Sequence, residues 1–253
     1  MEYSALYKYY DLLMKDYPYE KTAAFVSERL KTLGGSASHP LKGFEFACGT
    51  GKMTLALAEA GCRMTASDVS GDMLNAAAEK AKNAGQKIIF LNADVNKPTL
   101  LGKYDFAACF TDGFNYVESL SRMERLFGMI YGALREGGLL IFDMSTAYKA
   151  RNILSERLYF DDGEELSFFW RNSKYSDKSR KIRMNLTFFE KKDGVYVRSD
   201  EENAQYFYEN GEIAEILKKS GFKAEFFDEK LNAVKGGFKR NFERLVVAAR
   251  KEN

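Results

Sequence analysis

The chain changes its hydrophobic rhythm three times, and each change marks a different kind of structure. Over the first forty residues apolar side chains recur at helical spacing: Leu6, Tyr9, Tyr10 and Leu13, then, after Pro18, Phe25, Val26, Leu30 and Leu33, ending at Gly34-Gly35. GGSASHP follows as a short linker. From residue 43, apolar strand-like runs at 44–48, 64–67, 87–92, 104–110 and 138–144 alternate with helical segments. Ser70 is placed to cap a helix carrying Met73, Leu74, Ala77 and Ala81 and stopping at Gly85; Ser121 with Glu124 reads as a capping box for a helix that stops at Gly137-Gly138. Strand and helix in alternation predict a doubly wound parallel sheet, covered on both faces, with its ligand site in the loops after the strands.

Near residue 146 the period becomes two. Ile182, Met184, Leu186 and Phe188 alternate with Lys181, Arg183, Asn185 and Thr187, and Asp193-Gly194 offers a hairpin turn into Val195, Tyr196 and Val197. Phe168, Phe169 and Trp170 before this stretch and Tyr206, Phe207 and Tyr208 after it supply further aromatic strands. The expected organisation is a helical arm over 1–40, an α/β domain over 41–145 and 209–253, and a small antiparallel β insertion over 146–208. A last helix around Ile213, Ile216 and Leu217 and two strands, 222–228 and 245–249, close the sheet.

Composition narrows the functions. With 38 Lys plus Arg against 36 Asp plus Glu in 253 residues, the net charge of +2 gives no support to a chain built mainly to neutralise nucleic-acid phosphates. No apolar run approaches a membrane span and no signal pattern opens the chain, so a cytoplasmic protein is expected. Cys48, Cys62 and Cys109 lack metal-ligand spacing, and His39, the one histidine, stands in a loop before Pro40; neither points to a metal site.

The chemistry concentrates in Glu45-Phe46-Ala47-Cys48-Gly49-Thr50-Gly51, a strand turning through glycines into a helix. A P-loop is excluded, because Phe46 stands where its first glycine would and Met53 follows Lys52. A dinucleotide fingerprint is weakened by Thr54 at the third glycine position, which keeps a nicotinamide-dependent oxidoreductase only as a distant alternative. The segment resembles motif I of the class I S-adenosylmethionine-dependent methyltransferases. Asp68, ending the second strand, matches that family's ribose-binding acid, and Asp94 in Asn92-Ala93-Asp94-Val95 matches the residue that accepts from the adenine amino group. The resemblance implies a seven-stranded, mostly parallel, Rossmann-like sheet. It implies S-adenosylmethionine as cofactor, S-adenosylhomocysteine as product and no metal. The implied cofactor set is Ala47, Cys48, Gly49 and Gly51 in the loop, Asp68, Val69 and Met73 after the second strand, Asp94 and Val95 after the third, and Phe110 after the fourth. Ala47 replaces the commoner first glycine, which is tolerated if its dihedrals are ordinary.

For the acceptor, the arm and the insertion look like the lid elements of small-molecule N-methyltransferases, including those acting on sugar amines. This implies a small-molecule acceptor, an amine ahead of an oxygen, with Tyr10, Asp112, Asn115, Tyr116 and Trp170 around it. Tyr10 reads equally well as helix packing. Asp112 or a tyrosine hydroxyl is a candidate proton acceptor, and Asp112 reads equally as a residue that orients its loop. The alternative is an RNA-directed methyltransferase or RNA-binding protein, using Arg171, Lys174, Lys178, Arg180, Lys181 and Arg183 with Lys235, Lys239 and Arg240, and stacking bases on Trp170 and Tyr175. The same charges suit the solvated face of an antiparallel sheet. A monomer or homodimer is expected.

Overall fold

The computed structural model describes residues 6–36, 38–100, 102–238 and 241–252. Helices α1 (Leu6–Leu13) and α2 (Tyr19–Leu30) are separated at Pro18, which has no N–H to give and precedes the first helical residue of α2. The α/β unit then runs β1 (Lys42–Phe46), α3 (Lys52–Glu59), β2 (Arg63–Asp68), α4 (Gly71–Asn83), β3 (Ile89–Asn92), β4 (Tyr104–Cys109), α5 (Leu120–Ala133) and β5 (Leu134–Ser145). A short turn, α6 (Ala147–Lys149), leads to β6 (Leu158–Asp162), β7 (Leu166–Asn172), β8 (Lys181–Lys192) and β9 (Val195–Tyr206). The chain closes with α7 (Asn210–Lys219), β10 (Phe222–Phe227) and β11 (Arg244–Lys251).

Seven strands form one sheet in the order β10-β11-β5-β4-β1-β2-β3, parallel except for β11, as expected. β1 and β4 at its centre are buried on both faces, because helices cover both sides, and are mainly apolar apart from Lys42, Glu45 and Asp105. One face holds the Phe44, Phe46, Phe114, Phe127 and Phe142 cluster under α5 and α7; the other packs Phe106, Phe110 and Ile141 against α2 and α3. The remaining four strands form a separate antiparallel sheet, β6-β7-β8-β9. Its inner face is the alternating set Ile182, Met184, Leu186 and Phe188, and its β8–β9 turn uses the left-handed conformation at both Asp193 (φ 49°) and Gly194 (φ 81°).

Three local expectations are corrected. The cap of α5 is Ser119, in extended conformation with its hydroxyl accepting from Arg122 N; Ser121 lies one residue inside the helix and only bonds the Ser119 hydroxyl. That helix ends at Ala133 rather than at Gly137-Gly138, because β5 begins at Leu134 and Gly137 (φ 72°) sits at the irregularity where β4 and β5 change register. Val195–197 and Tyr206 belong to one twelve-residue strand, while Phe207 and Tyr208 are buried beyond its end. The polar run between those apolar ends hid the continuity.

Candidate functional site

The loop after β1 is shaped by two backbone bonds. Cys48 N–H donates to Ser67 O (3.0 Å), prolonging the β1–β2 pairing, and Gly51 N–H donates to Cys48 O (2.9 Å), closing a turn into α3. Gly49 (φ 54°) and Gly51 (φ 77°) occupy the left-handed region. A Cβ on Gly49 would approach the Tyr10 ring to 3.3 Å, and one on Gly51 would lie 2.8 Å from Ala77 Cβ, where α4 crosses the loop. Gly51→Ala is therefore expected to lower the unfolding free energy by about 1–3 kcal/mol, measured by urea denaturation; an unchanged midpoint would mean that α4 moves away freely. Ala47 also has positive φ (48°), so its dihedrals are not ordinary. Its methyl lies where a side chain on residue 113 would have to go, 2.8 Å from a Cβ built on Gly113.

This loop forms one wall of a cavity of about 190 Å³ at the carboxyl ends of β1 to β4. Of the expected cofactor residues, Ala47, Gly49, Asp68, Val69, Met73, Asp94 and Val95 line it. Cys48 and Gly51 shape the loop from behind, and Phe110 is buried in the core between the sheet and α2–α3, away from the cavity. Asp68 is fixed by two backbone donors, Gly49 N–H to Oδ2 (2.8 Å) and Ser70 N–H to Oδ1 (2.9 Å). Burial raises its pKa against the pull of those donors. Asp94 Oδ1 takes Asn96 N–H (2.8 Å) and Nδ2 (3.2 Å), while its Oδ2 has no hydrogen bond to a described residue. Asp68, Asp94 and Glu118 are on the wall and no lysine or arginine is. Asn96 and Glu118, which carry no motif, were not legible in the sequence.

A second cavity of about 380 Å³ lies under the antiparallel sheet. Leu6, Tyr10, Thr111 and Tyr116 line both cavities and so form the neck between them. The Tyr10 hydroxyl bonds Thr111 Oγ1 (3.2 Å), and burial pushes the phenols of Tyr10 and Tyr116 above their ordinary pKa. Helix α1 is clasped over the neck by Asp11, which accepts from Thr50 Oγ1 (2.6 Å) and Lys80 Nζ (2.5 Å).

Trp170 and Asp112 line this second cavity, but Asn115 does not. Fully buried, Asn115 donates from Nδ2 to Ser145 O (3.1 Å) and Tyr206 O (2.9 Å) and accepts from Ser145 N at Oδ1 (2.9 Å). It joins the end of β5 to the end of β9. Asp112 (φ 65°) is paired in bidentate fashion with Arg244, Oδ1 to Nη1 (2.8 Å) and Oδ2 to Nη2 (3.1 Å). Burial alone would raise its pKa, but Arg244, Lys149 and the Ser145 hydroxyl together outweigh burial and hold the carboxyl below the usual range, which makes it a weak proton acceptor. Arg244 Nη1 also reaches Asp143 Oδ1 (2.8 Å), whose Oδ2 accepts from the Tyr17 hydroxyl (2.6 Å); burial pushes Asp143 up. Tyr17, Asp143 and Arg244 are far apart in the chain and carried no sequence signal.

Several basic residues of the insertion lie over its aromatic rings, Arg151 over Tyr175 (5.5 Å), Lys181 over Tyr206 (5.6 Å) and Arg198 over Phe189 (5.9 Å), but among the described residues no cation lies over Trp170. Trp170 and Tyr175 are turned to the inner side, with Trp170 Nε1 donating to Asn172 and Tyr175 in the apolar cluster beneath the sheet; Arg180 is spent on Glu212 through two 2.8 Å bonds. Arg171 and Arg183 lie on the exposed strand faces. Lys239 and Arg240 lie outside the described residues. Among the described residues no group of three or more His, Cys, Asp or Glu side chains is arranged for a metal ion, and no helix is long and apolar enough to cross a membrane.

A glycine loop, two strand-end carboxylates and a cavity at the switch of a seven-stranded sheet define a nucleoside-binding enzyme of the methyltransferase type, and comparisons with known proteins agree. Residues 44–138 match the family model described as a methyltransferase domain. A protein of Geobacillus sp. (strain WCH70), named as a methyltransferase, is 32% identical over 235 residues, covering 90% of this chain and 94% of that protein. The crystal structure of an S-adenosylmethionine-dependent methyltransferase from Clostridium acetobutylicum ATCC 824 superposes with a TM-score of 0.83 at 25% identity, over 97% of this chain and 96% of that one. A sugar N-methyltransferase from Streptoalloteichus sp ATCC 53650, 18% identical, shares the fold with a TM-score of 0.76 over 96% of this chain and 93% of that one. The chain belongs to the class I S-adenosylmethionine-dependent methyltransferases.

The residues present fit the cofactor of that family. The two immobilised oxygens of Asp68, each with a remaining lone pair, would suit a vicinal diol and the Oδ2 of Asp94 an amino group; the wall is acidic, which suits a sulfonium cation and opposes the diphosphate of a dinucleotide.

Proposed function

We propose that this methyltransferase acts on a small-molecule amine held in the cavity under the antiparallel sheet, with residues 1–40 and 146–208 serving as the two lids of the site and residues 41–145 and 209–253 as the cofactor-binding domain. The observation that carries this reading is the neck: two cavities share Leu6, Tyr10, Thr111 and Tyr116 as a common wall, so molecules in the two chambers meet only there. The sugar N-methyltransferase likeness supports the amine through fold alone.

S-adenosylmethionine supplies a methyl group already activated by the sulfonium. The protein's part is then alignment and exclusion of water, effects worth about 7–11 kcal/mol of barrier when the reacting atoms are held in line. Tyr10 and Tyr116 narrow the passage and stay protonated, so they orient lone pairs rather than take a proton. Asp112 is committed to Arg244. The acceptor amine therefore has to reach the neck with its lone pair free, its proton having left to water. Asp112→Asn should accordingly leave the pH profile of turnover in place.

Calorimetric titration with S-adenosylmethionine, S-adenosylhomocysteine and NAD tests the cofactor cavity. Binding of the first two and not the third is expected, with Asp68→Ala and Asp94→Ala each weakening it by about 10- to 100-fold. Unchanged affinity in both variants would overturn the assignment of these residues. Transfer to the amine class is tested by following S-adenosylhomocysteine release across paired amine and alcohol acceptors; turnover confined to the alcohols would overturn it.

A further inference from the structure

Two polar side chains on the wall of the acceptor cavity make no hydrogen bond or ion pair to a described residue. Lys149, on the turn after β5, makes no hydrogen bond or ion pair from its ammonium to a described residue, although its charge acts on Asp112 and its backbone is fixed by the Thr146 hydroxyl. Asn203, in β9, is only 4% exposed, and its side-chain amide likewise bonds no described residue. Its amide opens onto the cavity rather than being sealed from it, so a ligand that displaces cavity water there has to replace the hydrogen bonds that water makes. The rest of the wall is largely apolar, from Leu154, Trp170, Met184 and Phe207.

We propose that the acceptor carries a carboxylate on an apolar body, bound by Lys149 and Asn203, while its amine is presented to the neck. This rests on the methyl-transfer reading of the two cavities. The charge count selects a carboxylate over a phosphate. A phosphate dianion calls for a second free cation, and the other cation on the wall, Arg244, is engaged by Asp112 and Asp143. An ammonium from the lysine and an N–H from the amide match the acceptor-only chemistry of a carboxylate. Asp16, also on the wall, is exposed, where solvent and salt screen its opposing charge. Apolar amino acids have this constitution.

The test uses matched probes that differ only in the anionic group: tryptophan, tryptophanamide and tryptamine, with the corresponding phenylalanine and leucine sets. Each is titrated calorimetrically into the intact protein saturated with S-adenosylhomocysteine. The carboxylate member of at least one set is expected to bind about tenfold or more tightly than its amide and its decarboxylated amine. In Lys149→Gln that preference should shrink to about twofold or less, and Asn203→Asp should reverse it by placing a like charge at the anion. A role for Lys149 in folding alone would leave the ratio between the three probes unchanged. Equal or tighter binding of the amides, or no binding by any probe to a protein that binds S-adenosylhomocysteine, would overturn the proposal. Failure to bind S-adenosylhomocysteine would instead strike the cofactor-site assignment, which the same titration reports first.

Discussion

Arg244→Met is expected to destabilise the protein by about 3–5 kcal/mol at pH 7, measured by urea denaturation. Arg244 is enclosed between Asp112, Asp143 and the ring of Tyr17, with its guanidinium carbon 5.4 Å from the ring centre. Burial works against its charge, but the two carboxylates outweigh burial and raise its pKa further. Removing it leaves two carboxylates facing each other with no cation between them. The cost comes from that uncompensated charge rather than from any large net worth of the ion pair. Consequently, adding Asp112→Asn and Asp143→Asn to Arg244→Met should restore most of the lost stability. A single-variant loss below about 1 kcal/mol would put the cluster in the class of solvated surface pairs and contradict its burial.

The second expectation concerns pH. Glu45 is 2% exposed in the central strand β1, and burial pushes its carboxyl from the ordinary 4.5 to about 8, against the opposing hydrogen bond from Thr54. Between those two values the folded protein keeps a proton that the unfolded chain has released. Stability from this group is therefore complete below about pH 4.5 and is lost as pH rises toward 8, with a slope approaching about 1.4 kcal/mol per pH unit. Glu45→Gln keeps an acceptor for the Thr54 hydroxyl and has nothing to titrate. Unfolding free energies measured from pH 5 to 8 should fall more steeply in the parent than in this variant. Parallel curves would show that Glu45 is ionised in the folded state.

The same pair explains one limit of reading the sequence. Thr54 stands where a dinucleotide fold would have its third glycine, and that substitution weakened the dinucleotide reading; what the threonine does instead, bonding a buried acid nine residues earlier, has no local signature. The parallel sheet was legible because its strands are continuous apolar runs and its helices carry one apolar face, both properties of short segments. Asp68 and Asp94 were legible for a related reason, each standing within a residue or two of a strand end. Ala47 was not: its left-handed backbone carries the ordinary cost of a methyl group there, and the room for that methyl depends on Gly113, sixty-six positions later. The cavity under the antiparallel sheet was legible in part: Tyr10, Asp112, Tyr116 and Trp170 were expected and line it, whereas Lys149, Asn203 and Arg244 come from three separate elements and meet only through tertiary packing. Asn115 shows the converse, a residue in the expected loop whose side chain is turned into the core.

That buried amide has a consequence for how such enzymes can be rebuilt. One carboxamide holds both Ser145, where the chain leaves the parallel sheet, and Tyr206, where β9 ends, so the whole antiparallel layer departs and returns through a gap no wider than a single side chain. A segment with such closely spaced ends can be exchanged as a cassette. Grafts joined after Ser145 and before Tyr206, on a host that keeps Asn115, would replace the sheet side of the second cavity while leaving its α1 side, the glycine loop, Asp68 and Asp94 in their original frame.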